Sequence, residues 1–293
     1  MDKEFRGIFP YLVSPIDKDG SVMEKPLRQL VNYLIDSGVH GLTPLGSTGE
    51  FYYLNWEQKR RITEIVLDEA NGRVPVTPGI SDANTLDAVK HSQEFEKMGA
   101  DGILLTLTRY FPLSSDAIEN YFRTVSCSVS VPIVLYNNPK FSNVTITTDI
   151  LDKLQDVPNI QYYKDATGNT GNLLSIINRF GDRYKIFSAS AHIPVSVMML
   201  GGVGWMAGPA CIIPKESVAL YNLCVEKKWD EAIEYQKKLW AVNQMFAKYN
   251  LAACIKACLE IQGIPVGEPI SPNRELSEEE KKEIREAMSK LKI

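Results

Sequence analysis

Short apolar runs separated by amphipathic stretches recur along the first three quarters of the chain, with the periods of strand and helix. The strand-like runs are Ile8 to Ile16, Gly41 to Gly46, Val74 to Ile80, Gly102 to Leu107, Pro132 to Asn137, Ile160 to Asp165, Tyr184 to Ala189 and Gly202 to Gly208. Between them Leu27, Leu30, Val31, Leu34 and Ile35 repeat at helical spacing, as do Ile62, Ile65 and Val66. Asn55 with Gln58, and Ser277 with Glu280, are spaced as capping boxes, so helices are predicted to begin there. Each parallel return needs a crossover helix, and eight strand–helix units in series predict an α/β fold, a closed (β/α)8 barrel of the TIM type. An open doubly wound sheet alternates in the same way, but no Gly-x-Gly-x-x-Gly follows the first strand.

After residue 226 the pattern turns wholly helical, near Trp229 to Lys248, Leu251 to Ile261 and Ser277 to Lys292, with Gly263 to Pro272 the one linker-like stretch. These helices hold too few apolar residues for a core of their own. The expected organisation is therefore a barrel over 1–226 and a C-terminal helical extension over 227–293 in the same structural unit.

Composition narrows the partners. The 293 residues are 44% apolar, ample for a large core, and the net charge of −4 comes from interspersed signs without a basic stripe. Nucleic acid and an anionic membrane are thus not expected partners. Met1 to Arg6 lacks the apolar centre of a signal peptide, and the most apolar region, Val195 to Ile213, is broken by four glycines and Pro209, so it reads as helix, turn and buried strand. Five cysteines without a Cys-x-x-Cys point to reduced thiols in the cytoplasm. Cys254 and Cys258 share a helical face but have no histidine near them, and His40, His91 and His192 are scattered, so no metal site is expected.

In a parallel barrel the C-terminal strand ends converge on one mouth, and the chemistry of this chain collects there. Lys164 closes the run Ile160-Gln161-Tyr162-Tyr163-Lys164 before the polar turn Asp165-Ala166-Thr167-Gly168. An amine among aromatic and aliphatic neighbours is poorly solvated, which favours its neutral, nucleophilic form, although a lone strand-end lysine can also snorkel to water. Gly46-Ser47-Thr48-Gly49-Glu50 ends the second run, placing two hydroxyls between two glycines where the backbone can bend sharply around a small carboxylate. The fourth run leads into Thr108-Arg109-Tyr110-Phe111-Pro112 and the fifth ends in Tyr136-Asn137-Asn138-Pro139. Near an amine, the Tyr136 phenol can relay protons. Ser190 after the seventh run and Met206 in the eighth complete the candidate substrate-binding set with Gly46, Ser47, Thr48 and Gly49.

These residues resemble the family of dihydrodipicolinate synthase and N-acetylneuraminate lyase, the class I pyruvate-dependent aldolases. The three motifs occur in the family's order and spacing, and Ile264-Pro265-Val266-Gly267 is similar to its C-terminal region. The resemblance implies that Lys164 forms a Schiff base with pyruvate or another 2-keto acid, that Tyr136 shuttles protons, and that Ser47 and Thr48 bind the carboxylate. It implies that Tyr110 reaches the site of a neighbouring subunit, making a homo-oligomer, dimer or tetramer, the active unit. The protonated imine is itself the electron sink, so neither metal nor cofactor is required and the second partner is an aldehyde.

Within the family the chain departs from both prototypes. Synthases place an arginine two residues after the proline of Tyr-Asn-x-Pro to grip a second carboxylate; here Phe141 stands there, and a phenyl ring cannot supply a bidentate contact. Arg109 or Lys140 could compensate. Phe51, Tyr52, Tyr53 and Trp56 replace the small or histidine side chains that bind feedback lysine, so no lysine inhibition is expected. Sialic acid lyases use an Asp-Glu pair where this chain has Ser188-Ala189-Ser190-Ala191. The preferred expectation is aldol cleavage, condensation or dehydration of a sugar-derived 2-keto-3-deoxy acid. The alternatives are a 4-hydroxy-tetrahydrodipicolinate synthase with an atypical second-substrate site, an N-acetylneuraminate lyase, a metal-dependent barrel enzyme and a keto-acid-binding regulator without turnover.

Overall fold

Seven strands form one all-parallel sheet: β1 (Gly7–Pro10), β2 (Gly79–Ile80), β3 (Ile103–Leu105), β4 (Ile133–Asn137), β5 (Ile160–Asp165), β6 (Lys185–Ser188) and β7 (Gly204–Ala207). Their order is β1-β7-β6-β5-β4-β3-β2. The computed structural model describes residues 4–291; the start of the N-terminal stretch, Met1 to Lys3, and Lys292 at the end of the last expected helix lie outside the described residues.

The eighth strand expected at Gly41 to Gly46 occupies its place between β1 and β2 but only as single parallel bridges, Tyr11 to Thr43 on one side and Leu42 to Val76 on the other. Thr43 N–H donates to Pro10 C=O and Leu12 N–H to Thr43 C=O, while Thr77 N–H donates to Leu42 C=O and Gly79 N–H to Pro44 C=O. These bonds close the (β/α)8 barrel. The run of Ile8 to Ile16 shortens to β1 and that of Val74 to Ile80 shortens to β2 for one reason: Pro10, Pro44, Pro75 and Pro78 lack the N–H needed to continue a ladder. Closure is left to the carbonyls, which still accept.

Side-chain alternation along the strands separates two cores. Ile103, Leu105, Ile133, Leu135 and Tyr163 face outward into the layer under the helices. Phe5, Phe9, Tyr11, Leu104, Val134, Tyr136, Tyr162, Phe187 and Met206 fill the barrel interior. The floor is aromatic: Phe5 stacks on Tyr162 at 5.2 Å between ring centroids, and Phe9 meets Phe187 edge-on at 5.5 Å.

The helices follow the expected spacing. Leu27, Leu30, Val31 and Leu34 are buried on helix Glu24–Asp36, and Ile62, Ile65 and Val66 on Trp56–Ala70. Both capping boxes form, each with the side-chain and backbone halves in place. Beyond the barrel lie Trp229–Asn243, Met245–Lys248, Leu251–Ile261 and Glu278–Lys290. Leu251–Ile261 is buried along nearly its whole length and packs on the turns Ser47–Gly49 and Gly208–Cys211 at the barrel mouth. No helix of the described residues is long and apolar enough to cross a membrane.

Candidate active site

Register builds the centre of the site. In the β4–β5 pair Val134 lies opposite Tyr162 and Tyr136 opposite Lys164, so a phenol and an amine emerge side by side above the aromatic floor. Lys164 is 2% exposed, and its Nζ stands 3.6 Å from the centroid of the Tyr136 ring and 4.0 Å from that of Tyr11. Burial holds its pKa well below the ordinary lysine value, opposed by the charge of Asp165. The lysine is therefore buried and does not snorkel to water.

Tyr136 is buried, which pushes its phenol pKa up, while hydrogen bonds from Ser47 and Asn138 pull it down. Asn138 Nδ2 donates to the phenol oxygen at 2.7 Å, and Ser47 Oγ lies 3.4 Å away on another side. Thr106 Oγ1 fixes the backbone behind the ring by donating to Tyr136 C=O at 3.1 Å. The Ser47 hydroxyl and the Asn138 amide thus converge on the phenol oxygen, whose ring lies against the amine, and fix where that phenol can give or take a proton.

The turn itself is strained and clamped. Leu45 and Glu50, on either side of Gly46–Gly49, adopt left-handed φ values of 61° and 53°, a conformation non-glycine residues hold only when surroundings fix it. Ser14 Oγ donates to Gly49 C=O at 2.6 Å, and Gly49 N–H to Gly46 C=O at 2.9 Å. Gly46 is required because a Cβ there would lie 2.3 Å from the Tyr11 ring. Below the turn Glu50 and Lys256, each side chain 2% exposed, pair at 2.9 Å. The other Glu50 oxygen accepts from Ile270 N–H at 2.9 Å and Asn273 Nδ2 at 3.0 Å, and Lys256 Nζ also donates to Glu268 C=O at 2.8 Å. Thr48 Oγ1 is buried without a hydrogen-bond partner among the described residues, a donor and acceptor left for a ligand.

Lys164, Tyr136, Ser47, Thr48, Gly46 and Gly49 are brought together. Met206 is fully buried in the interior cluster beside Tyr11 and Tyr136. Ser190 is half-buried after β6, its carbonyl accepting from Ser188 Oγ at 3.4 Å. Tyr110 is not at this site: it is 93% exposed, its ring edge-on to Phe111. Phe141 is 60% exposed, with the Lys140 ammonium 5.7 Å from its ring. Arg109 is tied to the same loop, its N–H donating to Ser142 C=O at 3.1 Å and its Nε to Asn143 C=O.

Sequence reasoning passed over Tyr11, Asn138 and Lys256. Tyr11 sits one residue past β1, at the mouth, but a strand read through to Ile16 puts the mouth five residues too late. Lys256 lies on a helix whose apolar pattern gave no sign that one lysine points inward; only the packing of that helix against the turn reveals it.

Comparison with known proteins identifies the family to which this chain belongs. The model of the dihydrodipicolinate synthetase family matches residues 4–291. A 4-hydroxy-tetrahydrodipicolinate synthase of Methanococcus vannielii is 32% identical over 287 residues, 98% of each chain. That of Pelobacter propionicus is 32% identical over 269 residues, 89% of this chain and 92% of the other. Among solved structures, a dihydrodipicolinate synthase from Aquifex aeolicus superposes with a TM-score of 0.94 at 26% identity, covering 98% of each chain. The chloride-inhibited dihydrodipicolinate synthase of Acinetobacter baumannii, complexed with pyruvate, gives 0.93 at 25% identity over 98% of this chain and 99% of the other. A barrel of this topology, matched by the family model along nearly its whole length, leaves one assignment: the chain is a Schiff-base lyase and belongs to the dihydrodipicolinate synthetase family.

Proposed function

We propose that this protein condenses pyruvate with an aldehyde through an imine on Lys164, in the reaction of a 4-hydroxy-tetrahydrodipicolinate synthase. The observation that carries the chemistry is the buried Lys164 amine against the Tyr136 ring, with that phenol hydrogen-bonded to Asn138 and within reach of Ser47. The amine attacks C2 of pyruvate to give a carbinolamine. With one proton supplied, the carbinolamine loses its hydroxyl as water and becomes a protonated imine. Tyr136 delivers that proton to the departing oxygen and later takes one from C3, leaving an enamine; as C3 bonds to the aldehyde carbon the phenol protonates the aldehyde oxygen, and water added to the restored imine, its proton returning to the phenolate, releases the product and the free Lys164 amine. Ser47 Oγ and the unpartnered Thr48 Oγ1 hold the pyruvate carboxylate, with Gly46 and Gly49 shaping the turn around it. Borohydride reduction with pyruvate followed by mass mapping tests this: one adduct on Lys164 supports it, and unmodified Lys164 overturns it.

The relatives bearing the synthase name support that second substrate better than the sugar-derived acid the residues alone favoured. Phe141 keeps the other reading in play, because its exposed phenyl group gives a second carboxylate nothing to bind. Arg109, tethered to the loop that carries Phe141, and Lys140, beside the Phe141 ring, are the two cations proposed to take over this role. Steady-state turnover of pyruvate with aspartate semialdehyde, beside pyruvate release from a panel of 2-keto-3-deoxy sugar acids, separates the two. Activity on the panel alone would replace the synthase reading. The same proposal places Tyr110 of one copy at the mouth of another, consistent with its exposure. Pairing an inactive Tyr110→Phe chain with an inactive Lys164→Met chain should restore partial activity in mixed oligomers.

A further inference from the structure

The Lys164 amine does not rest on one aromatic ring but in the corner of two. The rings of Tyr11 and Tyr136 stand at 90° with centroids 6.1 Å apart, and Nζ lies 4.0 Å from the first and 3.6 Å from the second. A neutral amine has a bond to Cε, two N–H bonds and one lone pair in tetrahedral directions. Two perpendicular ring faces can receive one N–H each, which halts rotation about Cε–Nζ and leaves the lone pair a single remaining direction. We propose that Tyr11 is a positioning residue of the imine-forming site, acting with Tyr136 to aim the Lys164 lone pair at the incoming keto carbon.

The surroundings of Tyr11 fit a fixed wall. Its N–H donates to Ala207 C=O at 3.2 Å and its C=O accepts from Cys211 Sγ at 2.8 Å, so β7 and the turn after it hold the backbone. Gly46 lacks a Cβ where the ring passes, so Tyr11 touches the Ser47–Thr48 turn on one side and the amine on the other. The Tyr11 hydroxyl is buried without a partner among the described residues, and burial together with nearby Tyr136 pushes its pKa well up, so the phenol stays neutral beside the amine. Among the described residues the titratable groups that face Lys164 are Tyr11 beyond β1 and Tyr136 on β4; Asp165 acts on it only through its charge, its carboxylate being turned to Asn137, Tyr163 and Thr167, and its β6 neighbour, Phe187, carries no charge.

This inference rests on imine formation at Lys164, and the test separates the two claims. The rate of borohydride-trapped pyruvate adduct is measured against pH for wild type, Tyr11→Phe and Tyr11→Leu, with thermal unfolding alongside. Trapping by wild type establishes the imine whatever the variants do. Tyr11→Phe keeps the ring and should trap within about twofold of wild type, whereas Tyr11→Leu should lose roughly tenfold at the plateau because the nucleophile is no longer oriented. The acid limb separates orientation from packing. A ring face favours the ammonium, so its loss should move that limb to lower pH by roughly half a unit or more. Should Tyr11→Leu not fold, pentafluorophenylalanine at position 11 keeps the shape while reversing the ring's electrostatics, and the same shift is expected. An unchanged rate and acid limb in a folded Tyr11→Leu protein, or in the fluorinated one, would overturn the role.

Discussion

Tyr136 touches three of the groups that matter: the amine through its ring, and Ser47 and Asn138 through its oxygen. Tyr136→Phe keeps the ring over Lys164 and deletes the proton relay, so kcat should fall about 10²- to 10⁴-fold while pyruvate trapping on Lys164 persists at a reduced rate. Lys164 has an opposite signature in stability. Its folded pKa is depressed from 10.5 by burial. Between that depressed value and the unfolded one the denatured chain binds more protons, so this residue's contribution to stability is present above pH 10.5 and is lost as pH falls through the folded value. Lys164→Met should therefore abolish adduct formation yet melt higher than wild type near neutral pH, a difference that closes at alkaline pH. Calorimetry at several pH values checks both sign and window.

At the scale of elements, the helix Leu251–Ile261 reaches under the barrel mouth and holds the Ser47–Thr48 turn from behind through Lys256 and Glu50. A buried pair of this kind contributes little net stability against an apolar replacement, but removing one partner strands the other charge. Lys256→Met should cost about 3–5 kcal/mol in urea unfolding, and Glu50→Gln in the same chain should recover part of it. Because the pair clamps a strained turn, KM for pyruvate should rise more than kcat falls. We propose on the same ground that residues 227–293 belong to one structural unit with the barrel: Gln262 Nε2, at the end of that helix, donates to Ile212 C=O at 2.8 Å, and Gln236 Nε2 on Trp229–Asn243 donates to His192 C=O at 3.1 Å.

For the whole molecule, the surface that follows the Glu50 turn is aromatic. Tyr52 and Tyr53 stand exposed after the Glu50 turn, and Trp56 is stacked on the His91 ring at 3.6 Å. Side chains of this size occupy the region where small or histidine residues would leave room for an amino acid. Activity measured against added lysine should stay flat into the millimolar range; clear inhibition there would contradict this expectation. The seven-stranded ladder with its bridged eighth segment also explains why the expected strands were legible but their lengths were not. Apolar runs mark where the chain crosses the barrel, whereas the prolines at 10, 44, 75 and 78 determine how much of each crossing can pair.

The order of strands and helices, the capping boxes and the polar motifs at strand ends are local patterns, so the sequence by itself determined the barrel and singled out Lys164, Tyr136 and the Ser47–Thr48 turn as candidates at its mouth. Depth and direction are not local. That Lys164 lies in the corner of two rings, that Tyr11 is one of them, and that Lys256 pairs with Glu50 206 positions earlier in the chain follow from strand register and from one helix packing across the mouth. Burial, which turns an ordinary ammonium into a nucleophile, is a property of neighbours brought from distant parts of the chain, and only the tertiary structure supplies them.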